Sequence, residues 1–548
     1  MSAGSPIDSL VEDLVADDPA LGVQLGLTHD LAGLPSWSDE AVARRLAMLH
    51  RHQAALNSAL RAGDVPEAVD AFVGLQIVRR YLRSLELLRS HRRSPGMYLD
   101  LVGGVYTLLS REVAPPDERI DAVRGRLLAT PALLEEARAN LEPGLPATAV
   151  HSGLEYAEGI LGLAGETVRA FAREFGCPGA LDDASRVACG AVEAFRVHLR
   201  DVLLPGASPG CAAGRAVIED VLRWEHVLDD APEDLAAYGR EMLAQTQAAM
   251  AELAREMGHA DAAAAVAAVA GRHPGVDDVV AAYAEAVAAA RAYIVERDIV
   301  TLPPGEELRV IATPPFLRSI LPFAAYDQPG PFMAEQVGFY YVTPPPEGLD
   351  GDELEEALRN HPYASLPTTG VHEGYPGHHL QLVSANLAPT LARRVAAIPD
   401  GGALPVEGWA FYCEEMMREQ GFLSAPDVEL MRLNDQVWRS CRVVIDVEMH
   451  LGLMDMQEAV AYMSESAHMN RREAVLECRR YAEEPGQAMS YLLGRREVLR
   501  LADLYRRAHP GSSLREFHDE LLAWGSLAPA VVAWGMGIGP RPQAASAC

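Results

Sequence analysis

The chain has 548 residues, 49% of them hydrophobic and 23% charged, enough to bury a large interior rather than remain disordered. Asp plus Glu number 77 against 47 basic residues, a formal charge of −30 that disfavours nucleic-acid backbones and anionic membrane surfaces as partners. Every basic residue is arginine; without lysine, Schiff-base chemistry, a pyridoxal-phosphate anchor and lysine-based P-loop or kinase phosphate binding are excluded.

The opening stretch, MSAGSPIDSLVEDLVADDP, has neither a basic n-region nor a long apolar run, so no signal peptide is read there. Seven cysteines (177, 189, 211, 413, 441, 478 and 548) are scattered, odd in number and never spaced CxxC. That pattern argues against a disulfide framework or a thiolate zinc site and fits a reducing interior. No window holds about 18 uninterrupted apolar residues, the length a membrane-spanning helix needs. The expectation is a soluble cytoplasmic protein.

Apolar residues at three- and four-residue spacing predict helices over 40–63, 66–91, 119–141, 149–174, 182–203 and 232–257. The Ala- and Val-rich stretch 260–296 is broken by HPGV and carries recurring acids, which predicts two packed helices rather than a low-complexity tract. Residues 301–346 contain ten prolines, and between them VGFYYVTP is the best strand candidate. Helical patterns return from 351 to the end, with no repeat of fixed length and no flexible Gly/Ser linker. The predicted fold is mainly α: a large helical body with a deep catalytic cleft and a small β element near residues 336–344. A soft boundary near 300 divides a helical half (1–300) from a catalytic half (301–548), the two packed as one body.

The chemistry concentrates in VHEGYPGHHLQL, with His372, Glu373, His378 and His379. Zinc peptidases use HExxH on one helix, where two histidines a turn apart hold the metal and the glutamate polarises water. Here the second histidine comes late, and proline occupies 376. An ideal helix returns His379 to the face of His372, but about 10 Å further along the axis. A two-residue bulge at Pro376-Gly377 would instead bring His378 to the second ligand position, because proline cannot continue the helix. The plain alternative is a polar helix end with histidines capping carbonyls. A third ligand is offered 35 residues after His372 by VEGWAFYCEE. Its E-G-aromatic-A-x-Y-x-E spacing resembles the second zinc helix of the gluzincin aminopeptidases. That resemblance makes Glu407 the ligand and gives Glu414, two turns on, the task of orienting a histidine; the bland reading is an amphipathic helix.

Further along, PGQAMSYLLG offers Tyr491 as first choice and His450 as second to stabilise charge on a carbonyl oxygen. Gln487 is a candidate for substrate binding, and Arg442 and Arg480 are candidates to hold a substrate carboxylate in a bidentate fork. Each also fits a structural role, as core tyrosine, helix cap or surface ion pair.

Taken together, LGLTHDLAGLPSWSDE, DDAPEDLAAYGREML, HEGYPGHHLQ, EGWAFYCEE, RVVIDVEMH and RRYAEEPGQAMSYLLG resemble the bacterial "domain of unknown function 885" family, grouped with gluzincin-like metallopeptidases. The resemblance implies a mostly helical fold with a deep cleft, one zinc per chain and hydrolysis of peptide-like amides. One departure stands out: Val447-Glu448-Met449 precedes His450 where a small Gly-containing turn is expected, adding charge near the presumed cleft. The expected ligands are His372, His378 and Glu407, with Glu373 as general base and His379 left to support a ligand or contact substrate. The expected function is a zinc hydrolase of short peptides or amino-acid-like amides, with no nucleic-acid or membrane partner and a homodimer allowed for. A metal-dependent tailoring hydrolase or lyase for a small metabolite is the alternative, and a non-catalytic binding scaffold comes third.

Overall fold

The periodic apolar segments fold as helices in the computed structural model of the chain, which describes residues 5–27, 30–314, 318, 324–346, 348–398 and 401–546. The helices read at 40–63, 119–141 and 232–257 are Asp39–Ala62, Pro116–Asn140 and Pro232–Glu256. Ser38 caps the first by accepting from the Ala41 N–H, and proline opens the other two, where a missing N–H costs nothing. The runs read at 66–91, 149–174 and 182–203 each pass into a π-helical turn, at Arg83–Leu87, Leu163–Thr167 and Leu199–Leu203. One inserted residue rotates the following face by about 100°, a change that apolar spacing alone does not announce. The Ala-rich stretch forms two helices, Ala262–Ala270 and Val279–Glu296 (α1).

The strand candidate is the centre of a three-stranded sheet. Strand β1 (Glu307–Ala312) and strand β2 (Ala324–Asp327) flank β3 (Val337–Val342), β1 parallel to it and β2 antiparallel. Both flanking strands are short, half-exposed edges inside the proline-rich stretch, so neither carries a strong alternation signal.

One apolar core takes residues from both ends of the sequence, among them Phe72, Val287, Tyr340, Trp409 and Val532. The boundary read near 300 therefore passes through packed interior. A second core, built around Leu99, Phe171 and Phe195, takes its buried side chains, among the described residues, from 23–203. Among the described residues no helix is long and apolar enough to cross a membrane.

Four helices frame the site: His378–Asn386 (α2), Ala403–Glu419 (α3), Pro426–His450 (α4) and Ser490–Ala508 (α5). Helices α3 and α5 touch backbone to backbone. A Cβ on Gly408 would meet Gly494 Cα at 2.4 Å, and one on Gly494 would meet Leu404 O at 2.2 Å. Only glycine at both positions allows this approach. It sets the first turn of α5, with Tyr491, beside Glu407.

Candidate metal centre

Residues Gly370–Gly374 form a π-helical turn that carries His372 and Glu373. Proline at 376 has no N–H, and its ring would strike the His372 carbonyl in a continuous helix, so the chain breaks there. Gly377 folds back onto the broken end. Its N–H donates to Val371 O (3.0 Å), and a Cβ at 377 would lie 1.9 Å from His372 O. Helix α2 then restarts at His378. The sequence suggested a bulge within one helix; the chain instead uses a break between two. Trp409 Nε1 donates to Pro376 O (2.7 Å) and Gln381 Nε2 to Pro405 O (2.9 Å), fastening the break to α3.

This folding brings His372, His378 and Glu407 together, with donor atoms all within 4.8 Å of one another. Glu407 Oε2 lies 3.5 Å from His372 Nε2 and 3.4 Å from His378 Nε2. Tetrahedral ligands at about 2.0–2.1 Å from zinc stand roughly 3.3–3.4 Å apart, so these separations suit a shared ion. The same oxygen is buried and lacks a hydrogen bond, an expensive condition unless a cation completes it. His372 Nδ1 lies 2.7 Å from Glu414 Oε1; a carboxylate only accepts, so Nδ1 holds the hydrogen and Nε2 presents its lone pair to the cluster. Burial disfavours charge on the His372 ring, but the facing carboxylates of Glu407 and Glu414 outweigh it and push the pKa up to about 10, so positive charge is favoured at Nε2, whether a proton or a metal ion brings it. Burial also works against the Glu407 charge, yet the facing histidines hold its carboxyl well below the usual range. The cluster attracts positive charge, and its two nitrogens and one oxygen form a zinc-type donor set.

A pocket of about 190 Å³ opens beside the cluster, with Glu373, Tyr491, Arg439 and Arg442 among its walls. Burial, followed by the negative charge of Glu407, pushes the Tyr491 phenol above its ordinary pKa, so it stays protonated. Helix α4 lines one side through Asp435, Trp438, Arg439 and Arg442, a stripe at i, i+3, i+4 and i+7. Of this stripe sequence reading picked out only Arg442. Asp435 and Arg439 stand among many other polar residues of the same helix, Arg432, Asn434, Gln436 and Ser440 included, so no signal in the sequence sets them apart.

Other candidates lie elsewhere. His379 is fully buried, with Nε2 3.0 Å from Glu306 Oε2 and Nδ1 3.1 Å from the Tyr326 hydroxyl. Tyr375 and Arg291 also bind Glu306, forming a network that ties α1, the sheet and the helix break together. A Cβ on Gly338 of β3 would lie 2.6 Å from His379 Nδ1, so this glycine makes room for the ring. Glu306, Tyr326 and Tyr375 are residues that sequence reading did not select.

His450 is not brought to the cluster. Ala213 N–H donates to its Nδ1 (3.2 Å), and its Nε2–H donates to Tyr481 O (2.9 Å), which fixes a neutral ring as a cross-brace between backbone segments. Burial pushes its pKa down to about 4, consistent with that role. Arg480 and Gln487 bind each other, Nη1 to Oε1 at 2.9 Å, and neither lines the pocket. Glu448 does not add charge to the site; it turns outward to Arg240 (2.6 Å), while Val447 and Met449 are core residues.

The combination of a mainly helical body, a short mixed sheet and a His/His/Glu cluster at a broken helix defines the class of fold. A family profile described as "Bacterial protein of unknown function (DUF885)" matches residues 19–536, and the chain belongs to that family. Among solved structures, a protein of Shewanella oneidensis described as a lipoprotein of unknown function is similar at 22% identity, with a TM-score of 0.77 and 96% of this chain and 98% of that one covered. A protein of Colwellia psychrerythraea, also described as a lipoprotein, is 18% identical with a TM-score of 0.81 and 97% of each chain covered. At such identities the likeness establishes the fold alone. No curated protein matches the chain.

Proposed function

We propose that the protein is a gluzincin-like zinc hydrolase that cleaves amide bonds of short peptides or amino-acid-like amides in the cytoplasm. The observation carrying this reading is the buried, unpaired Glu407 oxygen 3.4–3.5 Å from two imidazole nitrogens, one of them oriented by Glu414. A zinc ion held by His372, His378 and Glu407 would supply Lewis acidity that polarises an amide carbonyl and acidifies water. Glu373, in the pocket wall next to His372, takes a proton from water and returns it to the leaving nitrogen. The Tyr491 phenol, kept protonated, donates a hydrogen bond to the carbonyl oxygen as charge develops on it. Arg439 neutralises Glu414 and so holds the carboxylate that orients His372.

The small size of the pocket supports a second reading of the same machinery, hydrolysis of one small metabolite amide, because drug-sized sites begin at about 300 Å³. A library of short peptides and acylated amino acids, incubated with and without chelator, tests the proposal. Chelator-sensitive hydrolysis abolished by Glu373→Gln is the expected result. Cleavage that survives both treatments would refute it.

A further inference from the structure

The pocket holds two arginines from α4 whose charge is satisfied to different degrees. Arg439 is balanced by two carboxylates: Nη2 donates to Glu414 at 3.3 Å, and Nη1 lies 3.6 Å from Asp435. Arg442 is not. Its Nε donates to the neutral Tyr481 hydroxyl (3.0 Å), and Nη2 reaches Glu477 at 3.4 Å. Glu477 is held more closely by Arg480, at 2.9 Å. Among the described residues no group hydrogen-bonds Arg442 Nη1, and the residue lines the pocket.

The Arg442 side chain is only 6% exposed, so this cation is removed from water, and among the described residues a long, shared ion pair is its one charged partner. Such an arrangement is costly unless something else completes it. Trp438 lies 4.0 Å from the guanidinium carbon and Tyr491 4.5 Å, so two aromatic rings cover it and leave its donor edge for a ligand. A planar fork presented in this way matches a carboxylate.

We propose that Arg442 is the subsite for a free substrate carboxylate. Arg442 and Glu373 line the same pocket of about 190 Å³, so a substrate held by its carboxylate at Arg442 presents its last amide to Glu373. The protein thus takes peptides at their C-terminus, or N-acyl amino acids, and not C-terminal amides. Hydrolysis adds water across that bond, leaving a new carboxylate on the acyl side and releasing an amino acid. The cleavage polarity rests on the hydrolase reading above; the preference for a free carboxylate is a binding property that needs no turnover.

The test uses chelator-treated full-length protein, so that no metal offers a rival anion site. N-acetyl alanine, leucine and phenylalanine are each titrated by calorimetry as the free acid and as the carboxamide. At least one acid should bind about tenfold or more tighter than its amide, as expected of a charge-assisted pair. Arg442→Gln should abolish the preference, and Arg442→Lys should retain part of it, since the charge remains but the fork is lost. Near-UV circular dichroism checks that each variant is folded. Equal affinity for acid and amide, no saturable binding of any acid, or a preference that survives in folded Arg442→Gln overturns the proposal. Zinc content, measured separately on untreated protein, tells a failed metal centre apart from a failed carboxylate subsite.

Discussion

Replacing Gly408 with alanine should damage the site far more than the fold. The new Cβ would lie 2.4 Å from Gly494 Cα and 2.9 Å from its carbonyl oxygen, where ordinary contact begins at 3.4 Å. Helix α5 must therefore retreat by about 1 Å, and backbone offers no side chain that could swing aside instead. Overpacking of this kind costs about 1–3 kcal/mol, against which alanine regains about 0.5–1 kcal/mol of helix propensity. The net loss is about 1–2 kcal/mol, which moves Tm by no more than about 2–4 °C in a chain of this size. Tyr491 rides on the first turn of α5, so the same retreat pulls its phenol away from Glu407. Misplacement by about 1 Å costs on the order of 10²-fold in rate. The assay pairs thermal melting with turnover on a substrate found in the peptide screen. A Gly408→Ala protein with near-native turnover would refute the claim that this glycine contact positions Tyr491.

The two adjacent histidines should separate cleanly. His378→Ala should lose zinc affinity, whereas His379→Ala should keep it and lose stability instead, because Glu306 and Tyr326 each lose a buried hydrogen bond; equilibrium dialysis and melting read the two effects, and reversed phenotypes would exchange their roles. Acid should destabilise the fold through His518. Its Nδ1–H donates to Ile299 O and its Nε2 accepts from the Tyr412 hydroxyl, both at 2.9 Å, so the ring is held neutral, and burial pushes its pKa down to about 4. An unfolded histidine takes up its proton near pH 6.5, so the stabilisation is complete above that value and drains away as pH falls towards 4, on the order of 3 kcal/mol in all. Denaturant melts of His518→Gln should show a shallower loss between those pH values, and an unchanged slope would count against the assignment.

The two segments that meet at the cluster were legible because their chemistry is local. His372, Glu373 and His378 stand within eight residues, and Glu407 is marked by the glycine and aromatic that follow it. Pro376 also announced the interruption, although whether it made a bulge or a break depended on Gly377 packing against the His372 carbonyl, a contact no spacing encodes. The helices were readable from apolar spacing, yet π-helical turns inside three of them were not, since one added residue leaves the composition unchanged. Strands β1 and β2 were hidden among prolines. The places of His450 and Glu448 were not legible because their partners, Tyr481, Ala213 and Arg240, come from other segments of the chain. The Glu306–His379–Tyr326 network escaped for the same reason: each member is ordinary until the sheet folds over the helix break.

Zinc stoichiometry in the wild type and in Glu407→Ala, by elemental analysis of purified protein alongside far-ultraviolet circular dichroism, tests the central claim most directly. The account predicts one zinc per chain in the wild type and none in the variant, with helical content preserved. A folded Glu407→Ala protein that still carries stoichiometric zinc would contradict it.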